Sequence, residues 1–159
     1  MKKIGVISDT HGRGIMVNQA VKALPDMDLW LHAGDNSQDI RFFEGLTTAP
    51  VVAAAGNCDG YHAAAKLDEF LTVAGKSIWL THGHRYEVKY GTRELIEKAH
   101  DFAVDIVIYG HSHIPDITWD GDLLVLNPGS AGFPRGNVPT CALLVIDQGK
   151  VTAQIIDIR

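Results

Sequence analysis

The strongest constraint in this sequence is a pattern repeated five times: a short apolar run that closes on a polar side chain able to bind a metal. "KKIGVIS" leads to Asp9 and His11, "DLWLHAG" to Asp35, "PVVAAAG" to Asn57, "SIWLT" to His82, and "DIVIYG" to His111 and His113. Runs of this length, bounded by glycine or other turn residues, read as buried β-strands. In open α/β sheets, ligands bind in the crevice beyond the carboxyl ends of the strands. Taken singly, an Asp or Asn after a strand is ordinary turn chemistry, and a glycine before it simply permits a tight turn. Seven such residues at five strand ends are hard to obtain from independent turns. Within "GHSH" (110–113), His111 and His113 stand two apart, so on an extended chain they share a face.

The intervening segments complete the architecture. Residues 17–24 have apolar positions at helical spacing and stop at Pro25. Residues 37–46 read as a second helix with Ser37 as N-cap and Gly45 near its end. Residues 67–84 hold two strands joined by a glycine-containing turn, and residues 91–102 form a helix ahead of the 105–110 strand. Two hairpins follow, over 113–130 with an Asp-Gly turn and over 140–159 with a Gln-Gly turn. The first half thus alternates strand and helix, and the second half is mostly antiparallel strands. The expected fold class is α/β: a two-layered β-sandwich flanked by helices, in one domain spanning 1–159. With 46% hydrophobic residues in 159, such a domain has a real core. Trp30, Trp79 and Trp119, all in apolar strand stretches, are expected to pack within it.

Charge and cysteine usage exclude several function classes. The net charge is −5 and no basic block occurs, so non-specific nucleic-acid binding is not expected. No stretch approaches the roughly 18 apolar residues of a membrane span, and the apolar run after "MKK" is too short for a signal peptide. Two cysteines without a CxxC pairing suit a reducing cytoplasm. Homo-oligomerisation stays open, since strand edges near the C-terminus could pair.

The donors at the strand ends also speak about the ion. Four imidazoles, two carboxylates and one amide, without a thiolate, suit Mn, Fe, Co, Ni or Zn. Seven ligands are too many for one tetrahedral ion and fit two divalent ions sharing a carboxylate. Other polar residues carry weaker signals. His32, before "AGD", reads as packed or as supporting the ligands, and His62 and His100 read as surface residues. Asn36 and Arg13 stand close in sequence to the donors and could touch what binds there, although solvated loop residues look the same. A one-ion hydrolase or redox protein could use Asp9, His11 and His113, but would leave Asn57, His82 and His111 without a role.

In order, "DTH" (9–11), "GD" (34–35), "GNCD" (56–59), "TH" (81–82) and "GHSH" (110–113) resemble the calcineurin-like metallophosphoesterases. With "NPGS" (127–130), the whole chain is similar to the small phosphodiesterase branch of bacteria and archaea. The resemblance implies one ion on Asp9, His11 and His113, a second on Asn57, His82 and His111, and Asp35 bridging both. Manganese is the expected metal, with Fe, Ni, Co or Zn also compatible. The implied activity is hydrolysis of a small phosphodiester by in-line attack of a hydroxide bridging the two ions. Asp35 and Asn57 carry the catalytic roles, and His84 either lines the pocket or acts as the acid. Cys58 stands where many members of the family have a histidine that protonates the leaving group. A thiol is a poor substitute for an imidazolium, which shifts the expectation from phosphomonoesters to diesters. The alternative is a weakly catalytic or non-catalytic scaffold for protein partners, as in the retromer subunit that resembles this branch.

Overall fold

A computed structural model of the chain describes residues 1–60, 63–136 and 138–159. Its elements run β1 (Lys2–Ile7), α1 (Gly14–Ala23), β2 (Leu29–His32), a 3-10 helix (Ser37–Phe43), β3 (Val51–Ala53), β4 (Asp68–Val73) and β5 (Lys76–Thr81). A short 3-10 turn (His84–Tyr86), α2 (Arg93–Asp101), β6 (Ile106–Ile108), β7 (Asp116–Asp120), β8 (Leu123–Asn127), β9 (Thr140–Asp147) and β10 (Lys150–Asp157) complete them. The strands form two five-stranded sheets, in the orders β10-β9-β1-β2-β3 and β4-β5-β6-β8-β7.

The period-two alternation of each strand sorts its residues between two cores. Ile4, Val6 and Leu31 of the first sheet meet Ile78, Leu80, Ile106, Ile108, Leu124 and Leu126 of the second, all fully buried. The opposite face of the first sheet sends Ile7, Trp30 and Cys141 against Met16, Val17 and Ala20 of α1. The opposite face of the second sheet sends Trp79, Val107 and Val125 against Leu95 and Ala99 of α2. Central strands are covered on both faces, which is why their sequences read as unbroken apolar runs. The architecture is therefore the expected sandwich of two sheets flanked by helices.

Three expectations are corrected. The second sheet is parallel at its centre, because β5, β6 and β8 run alongside one another, with antiparallel β4 and β7 only at its edges. The final hairpin, whose sheet the sequence left open, belongs to the first sheet through β9, antiparallel to β1. Segment 37–43 is a 3-10 helix whose N-cap is Asn36, so Ser37 is its first residue; the Ser37 amide donates to Asp59 Oδ1 at 2.8 Å. Trp119, on edge strand β7, is 49% exposed and lies outside the core, unlike Trp30 and Trp79. His100 is a surface residue paired with Asp120, and His62 lies outside the described residues. Among the described residues, no helix is long and apolar enough to cross a membrane.

Candidate metal centre

The carboxyl ends of β1, β2, β5 and β6 converge, and six of the seven expected ligands meet there in two triads. Asp9, His11 and His113 form one, and Asp35, His82 and His111 the other, with donor atoms within 4.8 Å of one another in each. The triads touch: His82 Nε2 lies 3.2 Å from Asp35 Oδ2 and 3.7 Å from Asp9 Oδ1. His11 Nε2 lies 4.0 Å from Asp35 Oδ2, so the Asp35 carboxylate faces both groups.

The backbone is bent to achieve this. Asp9, His11, Asp35, His111 and His113 all sit at positive φ, between 44° and 67°. For residues with a side chain this left-handed region is costly, about 1–2 kcal/mol each, and such strain concentrates where surrounding structure enforces it for function. Here the enforcement is visible. Asp9 N donates to Gly34 O at 2.8 Å, His11 N to Asp35 O at 3.1 Å, and Gly132 N to Asp9 O at 3.1 Å. The Ser130 hydroxyl adds a second bond to Asp9 O at 2.9 Å. Two glycines allow the close approach: a Cβ on Gly56 would meet the Asp35 carboxylate, and one on Gly110 would meet Ser8 Oγ and Asp9 Oδ2.

Backbone carbonyls aim the imidazoles. His82 Nδ1 donates to Ala33 O at 2.7 Å and His113 Nδ1 to Phe133 O at 2.6 Å. Both rings thereby turn Nε2 toward the carboxylates, which is how ligating histidines are held. Asp9 Oδ1 and His82 Nε2 are buried and have no hydrogen-bond partner among the described residues, a costly state unless something else satisfies them. Burial alone would lower the His82 pKa, yet the Asp35 and Asp9 carboxylates hold it above the ordinary imidazole value. The facing Asp9 carboxylate, its Oδ1 3.2 Å from His113 Nε2, does the same for His113 against burial. Burial pushes the Asp9 and Asp35 carboxyls up, but the facing histidines win and both lie below the usual range. Burial and the His82 charge push His111 down to about 4. The site thus sets His82 and His113, both drawn toward their charged forms, against two buried carboxylates, and a cation would answer the same carboxylates; donor types and orphaned atoms both fit divalent metal ions.

Asn57 and Cys58 occupy the turn after β3. Asn57 is exposed, with Nδ2 3.8 Å from Cys58 Sγ. The thiol was absent from the expected ligand set, yet its sulfur groups with His11 and Asp35, and the Cys58 amide donates to Asp35 Oδ1 at 2.9 Å. Burial and the Asp35 charge push this thiol up, which keeps it protonated at neutral pH. His84 is half-buried, its ring 5.3 Å from that of His82, and burial and the His82 charge lower its pKa. It lines a cleft of about 590 Å³ with Asn57, Cys58 and Leu67. Arg13 donates to Gly132 O at 2.9 Å.

Residues that sequence reasoning passed over hold the ligands in place. Asp59 accepts from the amides of Gly56 (2.7 Å), Ser37 (2.8 Å) and Asp35 (3.3 Å), pinning two ligand turns together. Buried Asp39 accepts from Thr10 Oγ1 at 2.6 Å and from the Gly12 amide at 2.7 Å. Asn127 donates to Gly110 O at 3.1 Å and to Ser112 Oγ at 2.9 Å. The acid of "GNCD" and the "NPGS" segment were visible signals for two of these; Asp39 gives none, because an acid near a helix start is commonplace.

His32 supports the first turn from beneath. The Gly34 amide donates to Nδ1 at 3.0 Å, so the ring proton is on Nε2, 2.9 Å from Thr10 Oγ1, which passes its own hydrogen to Asp39. Burial holds His32 down at about 4, against the Asp9 and Asp39 charges. An unfolded histidine titrates near 6.5, so as pH falls the unfolded chain takes the proton first. Stability is therefore lost between about pH 6.5 and pH 4, to the extent of about 3 kcal/mol. The expected result is that the stability gap between metal-free wild type and His32→Gln narrows by about that amount from pH 7 to pH 4. Urea unfolding across this range checks it; a pH-independent gap contradicts the assignment.

A family profile for the calcineurin-like phosphoesterase superfamily domain matches residues 1–149, and the chain belongs to that superfamily. Among its relatives, a probable metallophosphoesterase of Methanothermobacter thermautotrophicus is 36% identical over 157 residues, covering 96% of this chain and 91% of that protein. A phosphodiesterase of Methanocaldococcus jannaschii is 32% identical over 160 residues, covering 89% and 92%. Among solved structures, a conserved Streptococcus pneumoniae protein described as a predicted phosphoesterase superposes with a TM-score of 0.82 at 27% identity, over 98% and 89% of the two chains. The fold is shared with a zinc-bound Vps29 of Entamoeba histolytica, at TM-score 0.76 and 21% identity over 99% of each chain.

Proposed function

We propose that this chain is a cytoplasmic phosphodiesterase that holds two divalent ions, one on Asp9, His11 and His113 and one on Asn57, His82 and His111, with Asp35 shared. Manganese is the favoured ion, with Fe, Ni, Co or Zn compatible with the same donors. The observation that carries this reading is the pair of buried, unpartnered atoms, Asp9 Oδ1 and His82 Nε2, facing each other across the two triads. When bound, the two ions would supply Lewis-acid stabilisation of the phosphoryl oxygens and a hydroxide nucleophile at neutral pH. The chain's own part is to hold the donors rigid, with Asp35 oriented by the Cys58 amide and His82 and His113 by backbone carbonyls.

Cys58 bears on the substrate. Its raised thiol pKa makes it a weak acid toward an alkoxide, so ester groups that leave without protonation are favoured. His84, held neutral beside His82, serves the cleft as a lining residue. The scaffold alternative draws support from the Vps29 likeness, which at 21% identity concerns the fold; the six donors gathered in the two triads favour the enzyme.

Chelator-stripped protein should hydrolyse bis-p-nitrophenyl phosphate only after Mn²⁺ is restored, and should prefer it to the mono-p-nitrophenyl ester. Two bound ions per chain with neither ester turned over would defeat the reading.

A further inference from the structure

Phe133 is 55% exposed, and its loop is held from several sides. Its amide donates to Ser130 Oγ at 2.8 Å, and its carbonyl accepts from His113 Nδ1 at 2.6 Å. Arg13 ties the preceding residue down through Gly132 O, and its guanidinium carbon lies 5.8 Å from the Phe133 ring centre. The ring stands 5.5 Å from that of His11, centre to centre and edge-on. The backbone that orients one expected ligand thus presents an aromatic surface beside another. Core packing does not account for it, since more than half the side chain faces solvent.

The other flank of the centre differs in character. There His84 stands near His82 and His111, and the cleft lined by Asn57, Cys58 and Leu67 opens beside it. A phosphodiester carries two substituents on one phosphorus. The two flanks offer a seat for each, and Phe133 gives one of them a flat aromatic surface.

From this we infer that Phe133 is a specificity-determining contact, stacking a planar aromatic substituent, aryl or nucleobase, of the phosphate ester bound at the centre. The inference rests on the phosphodiesterase reading and narrows its substrate class. Stacking on an exposed ring is worth about fivefold to tenfold in affinity. Calorimetry on Mn²⁺-loaded protein, with phenyl phosphate and inorganic phosphate as probes, tests it without turnover. Wild type should bind phenyl phosphate about fivefold to tenfold more tightly than inorganic phosphate. Phe133→Leu should shrink that advantage to within about twofold, and Phe133→Tyr, which keeps the ring, should restore it. Equal binding of the two probes by wild type, or an advantage that survives Phe133→Leu, overturns the role of Phe133 while leaving the phosphodiesterase reading standing. Failure of the loaded wild type to bind either probe overturns both.

Discussion

Asp35→Asn is expected to lower phosphodiester hydrolysis by at least about a thousandfold and to reduce the bound metal from two ions to one or none. The substitution keeps the shape of the side chain and removes its charge. Asp35 is 2% exposed, and its carboxylate groups with His11 on one side and with His82 and His111 on the other. No other carboxylate belongs to the donor sets of both proposed ions. An ion clamp contributes several kcal/mol to a phosphoryl-transfer transition state, and each 1.36 kcal/mol is tenfold in rate. Metal analysis of the purified variant, alongside kcat/KM with bis-p-nitrophenyl phosphate, provides the check. A variant that keeps two ions and wild-type activity removes the bridging role. A loss of activity with both ions retained would make Asp35 a reacting group and not an anchor.

Gly56→Ala is expected to be among the most damaging changes that add a single methyl group. The new Cβ would overlap the Asp35 carboxylate and lie 2.9 Å from the Asp35 backbone nitrogen. A flexible side chain could swing aside, but backbone at the end of β2 cannot. It is pinned by the same Asp59 carboxylate that holds the Gly56 amide. Overpacking of this kind costs about 1–3 kcal/mol, or a fall in melting temperature of about 3–12 °C for a chain of this size. Because the clash falls on the shared ligand, the stabilisation that Mn²⁺ gives the wild type should largely disappear. Thermal unfolding with and without Mn²⁺ reads both effects, and a variant with unchanged melting temperature and unchanged metal response would contradict the packing.

Both predictions concern positions that were legible in the sequence, and the reason is local. A strand buried on both faces must be apolar throughout, so the polar residue that ends it stands out, and a glycine needed for close approach sits next to it. The parallel strands β1, β2 and β3 of the first sheet and helix α1 over them were readable for the same reason. The centre of the second sheet was not. An Asp-Gly turn announces the β7–β8 hairpin but says nothing about which strand lies on the far side of β8, and that neighbour is β6, reached across the intervening β7. Trp119 was misplaced as a consequence, since an edge strand leaves one flank open. Asp39, and the role inferred for Phe133, were missed because both depend on burial and position, the one fully enclosed and the other exposed beside the centre. The proximity of the Cys58 sulfur to His11 and Asp35 likewise depends on how two turns meet in space.

The five left-handed residues at the centre set a direction for descent. Each would be relieved of strain by glycine, so a lineage that ceased to need the ions would gain stability where these ligands drifted to glycine. Loss of chemistry on this scaffold is downhill, and the sheets beneath survive it. An abandoned centre would leave behind a sturdier body, free to be recruited for the shape of its surface alone.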